Sequence, residues 1–184
     1  MLNGLKKILC LAMLVFISIQ TTAQVFNVTK GIVNFRSDAP LELIKASSKE
    51  MRGKLDAVKK VFAFTVKIKS FEGFNSPLQK EHFNENYLES NQYPDAFFTG
   101  KIIEDIDFTK DGTYEVRAKG NLSVHGVQQE RIIKSTMIIK DGELKITSSF
   151  TVQLSEHNIP IPKVVHEKLA SEINVEVTAD MTSK

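Results

Sequence analysis

Apolar and polar residues alternate along most of this chain, with the period of two that is expected of half-buried β-strands. In the clearest stretch, Phe62, Phe64, Val66 and Ile68 fall on one face, while lysines and a threonine fall on the other. The apolar face is predicted to be core and the lysine face to be solvated. The same reasoning predicts further strands at 24–36 (one strand or two, broken near Lys30-Gly31), 42–46, 51–55, 96–102, 114–124, 131–140, 144–154 and 173–179.

Glycine and aspartate mark two predicted hairpin turns between these strands. Lys110-Asp111-Gly112 and Asp141-Gly142 each predict a tight turn, because glycine, and to a lesser degree aspartate, tolerates the positive φ that such turns need. The facing of the strand at 131–140 stays open, since Ile132-Ile133 and Ile138-Ile139 fit either register.

The stretch 76–100 interrupts the strands with a helical pattern. Ser76 and Pro77 supply a capping hydroxyl and a proline at the first helical position, which together predict a helix start. The helix is expected to end before Tyr93-Pro94, because the residue before a proline is pushed out of the helical region. A helix between the strands of an all-β chain is expected to cover or plug something. A second short helix is predicted at 164–170.

About eight antiparallel strands joined by tight turns must close or fold over, and closure removes exposed strand edges. We therefore predict an all-β fold, an eight-stranded antiparallel barrel with one or two short helices. The inward faces mix aromatic residues with small ones, which fits a filled core and equally fits an elongated cavity, since a barrel of this size either packs solid or holds one small ligand. The inward residues that would line a cavity are Phe62, Phe64, Val66, Phe98, Leu122, Ile146 and Phe150.

Residues 1–23 have the pattern of a secretory signal peptide. Two lysines precede an apolar stretch at 8–19 that is too short to span a bilayer, and small residues precede a predicted cleavage site before Gln24. An uncleaved N-terminal anchor is the alternative. Residues 24–184 are predicted to form a single domain, exported to the periplasm or secreted, with no segment that would insert stably in a membrane.

Cleavage would leave a chain of balanced charge without cysteine. Lys6 and Lys7 lie within the signal, so the 24 basic residues would fall to the same number as the 22 acidic ones. Nucleic-acid binding needs a basic field, so nucleic acid is not an expected partner. Cys10, the single cysteine, also lies in this segment, which leaves no disulfide or thiolate chemistry.

Candidate catalytic and metal-binding groups are sparse. His82 and Glu85, three residues apart on the predicted helix, come closest to a metal site, but we interpret His82 as a packing or capping residue. His125 precedes a glycine and is interpreted as a turn residue. The sequence contains no nucleophile elbow and no glycine-rich phosphate loop, and Ser148 is a lone hydroxyl on the inward faces. We predict a protein that is not an enzyme and has no metal or organic cofactor.

Several segments together resemble the YceI-like family of exported, lipocalin-like barrels, over essentially the whole chain after residue 23. One departure is Gln128-Gln129-Glu130, where the family usually has Thr-Lys-Pro, and it alters a loop that flanks the barrel. The segments that carry the resemblance are Glu-His-Phe at 81–83, Tyr93-Pro94 followed by Ala-Phe-Phe at 96–98, Gly-Asn-Leu-Ser-Val-His-Gly-Val at 120–127, and the strand with its Phe-x-Val pattern at 150–159.

The resemblance implies an eight-stranded barrel that holds a long isoprenoid chain in its interior, because family members are linked to polyisoprenoid binding. The implied partner is therefore an isoprenoid lipid or another long apolar molecule. An anionic head group would want hydrogen-bond donors at the barrel mouth. His82, Asn84 and Tyr93 are the candidates for that role.

The predicted function is an exported lipid-binding protein that holds a polyisoprenoid-type chain for transport, storage or sequestration. The alternative is a structural or interaction barrel of the cell envelope, with a filled core and no ligand. An enzyme would need polar groups that converge inside the barrel. A monomer and a homodimer are both compatible with the sequence. The predicted ligand-binding residues are Phe62, Phe64, Val66, Phe98, Leu122, Ile146, Phe150, His82 and Tyr93.

Overall fold

The alternating pattern becomes nine β-strands in the computed structural model, which describes residues 24–183. The signal peptide predicted at 1–23 lies outside the described residues. The strands are β1 (Val25–Asp38), β2 (Leu43–Ser48), β3 (Arg52–Asp56), β4 (Val61–Lys67), β5 (Asp95–Ile102), β6 (Gly112–Val124), β7 (Val127–Lys140), β8 (Glu143–Gln153) and β9 (Glu172–Ser183).

Eight of these strands close into an antiparallel barrel, as predicted. Each strand from β3 to β9 pairs with the next, and β1 pairs with both β3 and β9 to complete the ring. The extra strand, β2, pairs with the second half of β1 while β3 pairs with the first half. Two short strands thus lie one after the other along the same edge of β1.

β1 is one long strand, and the break predicted near Lys30-Gly31 is a bulge. Its register against β9 shifts between Val28 and Lys30. A bulge bends a strand and increases its twist without ending the pairing. This bend lets β1 follow the curvature of the closed sheet while it contacts three other strands.

One predicted hairpin turn is confirmed and the other is wrong. Asp141 and Gly142 have φ values of 51° and 77°, as a tight turn between β7 and β8 requires. Gly112, by contrast, is already part of strand β6, where it pairs with Ile139 of β7. The connection between β5 and β6 is the longer loop 103–111. This loop carries the buried Phe108 across the end of the barrel, which a tight turn could not do.

The helix start predicted at Ser76-Pro77 is confirmed. Helix α1 (Pro77–His82) is capped by the Ser76 hydroxyl, which accepts a hydrogen bond of 3.1 Å from the Gln79 N–H. It continues as a π-helical turn, Phe83–Tyr87. The helix predicted at 164–170 is a single 3₁₀ turn at Lys163–Val165, so the described residues contain one short α-helix.

The end of the barrel at the start of β1 is packed solid. Phe26 and Phe108 lie with ring centroids 6.0 Å apart, and both are buried. Three further buried side chains from β7, β8 and β9 complete this layer, which we call the closed end. Its members are Phe26, Phe108, Ile139, Leu144 and Met181.

Candidate functional site

Above the closed end, the barrel encloses an apolar cavity of about 530 Å³. Its wall along β9 runs from Ile173 to Ala179. That stretch corresponds to about 20 Å of strand, or roughly 15 Å along the barrel axis at the usual strand tilt. The volume lies within the range of about 300–1,000 Å³ typical of small-molecule sites. The barrel is therefore filled with side chains at its closed end and hollow above it.

The structure brings together all seven apolar residues that the sequence predicts for a cavity wall. They come from β4, β5, β6 and β8, and alternation places them on the inner face. Phe62 and Phe98 contact each other with ring centroids 4.9 Å apart. The seven lining residues are Phe62, Phe64, Val66, Phe98, Leu122, Ile146 and Phe150.

β7 supplies wall residues that the sequence left unassigned. Ile133, Ser135 and Met137 line the cavity, whereas Ile132 and Ile138 are exposed on the outer face. The double isoleucines fit either register in the sequence, and the pairing of β7 with β6 and β8 decides between them.

Two hydroxyl groups on the inner face of the barrel form a hydrogen bond with each other. The Ser135 and Ser148 hydroxyls lie opposite on β7 and β8, with 2.6 Å between their oxygens. The sequence indicated that Ser148 is a lone hydroxyl on the inward faces. In the structure it is instead paired with Ser135 within the wall. An internally paired hydroxyl leaves the surrounding surface effectively apolar.

Four aromatic side chains pack together where the helical segment meets β1, and the sequence analysis missed them as a group. Phe35 stacks on Phe83 of the π-helical turn at a centroid distance of 5.3 Å and an interplanar angle of 12°. Phe71 and Phe74 pack against the same two rings. All four also line the cavity, so the helical segment covers part of it, as expected. A possible signal was the concentration of phenylalanine at 71–83.

The mouth of the cavity lies where the helical segment, the 39–42 turn and the 163–169 segment meet. His82 lines it, as predicted, together with Gln79, Glu42 and Lys168. The Gln79 side-chain amide donates to Glu42 at 2.9 Å, which ties helix α1 to the barrel. Tyr87 also lines the cavity, and burial raises the pKa of its phenol above the usual range, so the group is neutral at physiological pH.

Tyr93, which the sequence predicts at the mouth, is not among the residues that line the cavity. Its ring packs edge-on against His125, with centroids 4.8 Å apart, and covers Gly126 of the β6–β7 turn. The proline after it leads directly into β5, which begins at Asp95. Asn84 is also absent from the lining, because its side chain bonds to Lys80 and Ser90 within the helical segment.

His125 is a turn residue, as interpreted, and it links three segments. One ring nitrogen is 2.6 Å from the Glu89 carboxylate and the other is 3.1 Å from the His157 carbonyl oxygen. Both partners are hydrogen-bond acceptors. His157 is fully buried and its Nδ1 faces the Val127 carbonyl at 3.1 Å. These residues belong to the architecture around the turn.

Within residues 24–183, no three histidine, cysteine or acidic side chains gather as a metal site would require. In the same part of the chain, none of the helices has both the length and the apolar character needed to span a membrane.

The fold and the cavity together define a hollow eight-stranded antiparallel barrel with an apolar interior. The sequence matches the YceI-like domain family over residues 16–181, and the chain belongs to that family. The resemblance inferred from the sequence segments is thereby confirmed. No curated protein sequence matches this chain.

Solved structures share this fold at low sequence identity. A polyisoprenoid-binding domain from Saccharophagus degradans, implicated in plant cell wall breakdown, matches with a TM-score of 0.72 at 10% identity, over 88% of this chain and 99% of that one. BcnA from Burkholderia cenocepacia matches with a TM-score of 0.67 at 14% identity, over 82% and 95%. The YceI protein of Campylobacter jejuni matches with a TM-score of 0.54 at 15% identity, over 90% and 88%.

Proposed function

We propose that this protein binds a long apolar chain of the polyisoprenoid type inside its barrel, without a catalytic step. The observation that carries the proposal is the apolar cavity of about 530 Å³, which opens at one end. Burial of hydrocarbon yields about 25 cal/mol per Å² removed from water, so a dry apolar space favours such a ligand without specific contacts. Membership of the YceI-like family and the fold shared with a polyisoprenoid-binding domain support the same ligand class.

The tail of the ligand would occupy the wall formed by the seven aromatic and aliphatic residues, and its head would lie at the mouth. His82, Gln79 and Lys168 are the side chains there that can donate hydrogen bonds to a polar head. His82 thus keeps its predicted role, and Gln79 and Lys168 take the place predicted for Tyr93.

Export belongs to the same proposal. The pattern of residues 1–23 supports a cleavable signal and a location in the periplasm or outside the cell. N-terminal sequencing of the protein from the culture medium or periplasm should give Gln24 as the first residue. In that compartment, the protein would carry, store or sequester its ligand.

The direct test is organic extraction of the purified protein followed by mass spectrometry. Wild-type protein should yield a prenyl-type lipid, and Phe150→Arg should yield at least tenfold less, since it places a charge in the apolar cavity. Ser149→Arg is the matched control, because Ser149 is exposed on the outer face of the same strand. It should retain the lipid.

A second variant tests the same proposal without introducing a charge into the cavity. Val177→Phe adds volume inside the cavity, where Val177 lies opposite Ser148. It should exclude the ligand while the far-ultraviolet circular dichroism stays that of a folded barrel. The proposal is overturned when folded wild-type protein carries no lipid and binds no added isoprenoid. A filled barrel with no ligand, the alternative from the sequence, gains no support from a cavity of this size.

A further inference from the structure

Three exposed apolar side chains surround the mouth of the cavity. Leu41, Leu78 and Val164 are 66%, 56% and 89% exposed, respectively. Leu78 itself lines the mouth, and the other two are next in sequence to the lining residues Glu42 and Val165. We call these three residues the mouth rim.

The mouth rim comes from three separate segments that are held together by hydrogen bonds. The Leu41 N–H donates to the Glu167 carbonyl oxygen at 2.8 Å, which joins the 39–42 turn to the 163–169 segment. The Gln79 amide joins helix α1 to Glu42 of the same turn. The three apolar side chains are thus presented around one opening.

We propose that the mouth rim docks on the surface of a phospholipid bilayer. The proposal rests on the proposed function, because an isoprenoid ligand resides in bilayers and would be exposed to water if it reached the cavity through solution. The argument from the structure is continuity, since Leu78 belongs both to the exposed apolar rim and to the lining of the cavity. Apolar side chains at the border of a polar surface are typical of shallow membrane insertion.

Charges near the mouth are mixed, and this decides the kind of membrane surface. Lys163 and Lys168 are offset by Glu42 and Glu167 on the same segments. A polybasic cluster would be needed for strong attraction to anionic lipid. We therefore expect docking to depend on apolar insertion, to occur on neutral phosphatidylcholine and to change little with salt.

The closed end of the barrel provides an internal control. Val58 is 64% exposed, close to the value for Leu41, and Val61 and Ile103 are exposed near it. These residues lie beyond the solid layer that contains Phe26 and Phe108, so they have no connection to the cavity. The closed-end residues are similarly exposed but border no opening. A comparison of the two ends therefore distinguishes membrane docking at the mouth from non-specific adsorption of exposed apolar side chains.

The experiment uses single cysteines in the form that begins at Gln24, which contains the complete closed barrel and has no native cysteine. Val164→Cys and Val58→Cys are labelled with a polarity-sensitive dye and mixed with phosphatidylcholine vesicles. The fluorescence emission of the dye at 164 should shift to shorter wavelength and be quenched by quenchers attached to the lipid. The emission of the dye at 58 should not change. Leu41→Ser combined with Val164→Ser should weaken vesicle binding at least about tenfold, and Val58→Ser should leave it unchanged.

Three outcomes would overturn the proposal. The first is no binding to phosphatidylcholine vesicles, and the second is an equal dye response at both ends. The third is binding that requires anionic lipid and disappears with salt. A second copy of this chain could bind the mouth rim in place of a bilayer, and analytical sedimentation without vesicles tests this alternative. A dimer that Val164→Ser dissociates would assign the mouth rim to self-association and would overturn membrane docking.

Phe150→Arg distinguishes this proposal from the proposed function. Phe150 lies inside the cavity and outside the mouth rim, so this variant should lose extracted lipid while it keeps the vesicle response of a dye at 164. Wild-type protein that binds vesicles through the mouth rim and carries no isoprenoid would contradict the proposed function alone. Wild-type protein that carries isoprenoid but ignores vesicles would contradict the docking proposal alone.

Discussion

At the scale of single residues, two buried polar atoms stand out, because among residues 24–183 they lack a hydrogen-bond partner. They are Thr65 Oγ1 and His157 Nε2. Alternation places Thr65 on the outer, solvated face of β4, yet its hydroxyl oxygen is buried. A buried hydroxyl without a partner costs about 1–3 kcal/mol. The pattern of a strand gives the direction of a side chain but not what packs over it.

Replacement of Thr65 by valine should therefore stabilise the protein. Thr65→Val keeps the β-branched shape and removes the unpartnered hydroxyl, so the free energy of unfolding should rise by about 1 kcal/mol in urea titrations. Thr99→Val, at an exposed position on the neighbouring strand, should change it by less than about 0.5 kcal/mol. A loss of stability in Thr65→Val would mean that the hydroxyl is bonded in solution.

At the scale of elements, the pairing of β5 with β6 depends on two glycines that face each other. A methyl group on Gly100 would lie 2.2 Å from the Lys119 carbonyl oxygen, and one on Gly120 would lie 2.2 Å from that of Thr99. Alternation predicts that both glycines belong to the small residues of the inward faces, which fit a filled core and equally a cavity. Neither lines the cavity, and their role is the close approach of two backbones.

Alanine at Gly100 should disturb this approach. The added methyl group meets backbone atoms that cannot move without breaking the ladder, so Gly100→Ala should lower the free energy of unfolding by about 1–3 kcal/mol, as overpacking does. Gly112→Ala is the control, since its nearest neighbour is the ring of Tyr114 at 3.2 Å, which can shift. Chemical denaturation of both variants checks the difference, and equal effects would contradict the interpretation.

The elements were predictable where a local pattern decides them and were missed where a distant contact does. The capping serine and proline at 76–77 and the turn at 141–142 need only neighbouring residues. The loop at 103–111 instead follows from Phe108, which packs against Phe26 more than 80 positions earlier in the chain. Nothing near Lys110 in the sequence contains that information.

At the scale of the whole molecule, the barrel is solid at one end and hollow at the other. All seven predicted wall residues line the cavity, because strand alternation decides which side chains face inward. Alternation carries no information on how far opposite walls stand apart, so the sequence could not decide between a filled and a hollow interior. The position of Tyr93 was not predictable for a different reason, since it depends on contact with His125 in the β6–β7 turn.

Truncation of a phenylalanine should cost more at the solid end than in the hollow part. Phe108→Ala should lower the free energy of unfolding by about 3–5 kcal/mol, because it leaves a new void in a packed layer. Phe98→Ala, in ligand-free protein, should cost clearly less, because that side chain already borders an empty space. Denaturation of both variants after delipidation measures the difference, and equal losses would indicate a barrel that is collapsed in solution.

The closed end also determines which end of the proposed ligand can enter the cavity first. A barrel open at both ends would let a ligand pass through, whereas this one, over residues 24–183, is packed with buried side chains at the closed end. If the ligand proposed above is bound, its tail would enter the cavity first and its head would leave first, so the head would remain at the mouth. An acceptor of the ligand would contact the head before any part of the tail, and the barrel would release the ligand in only one orientation.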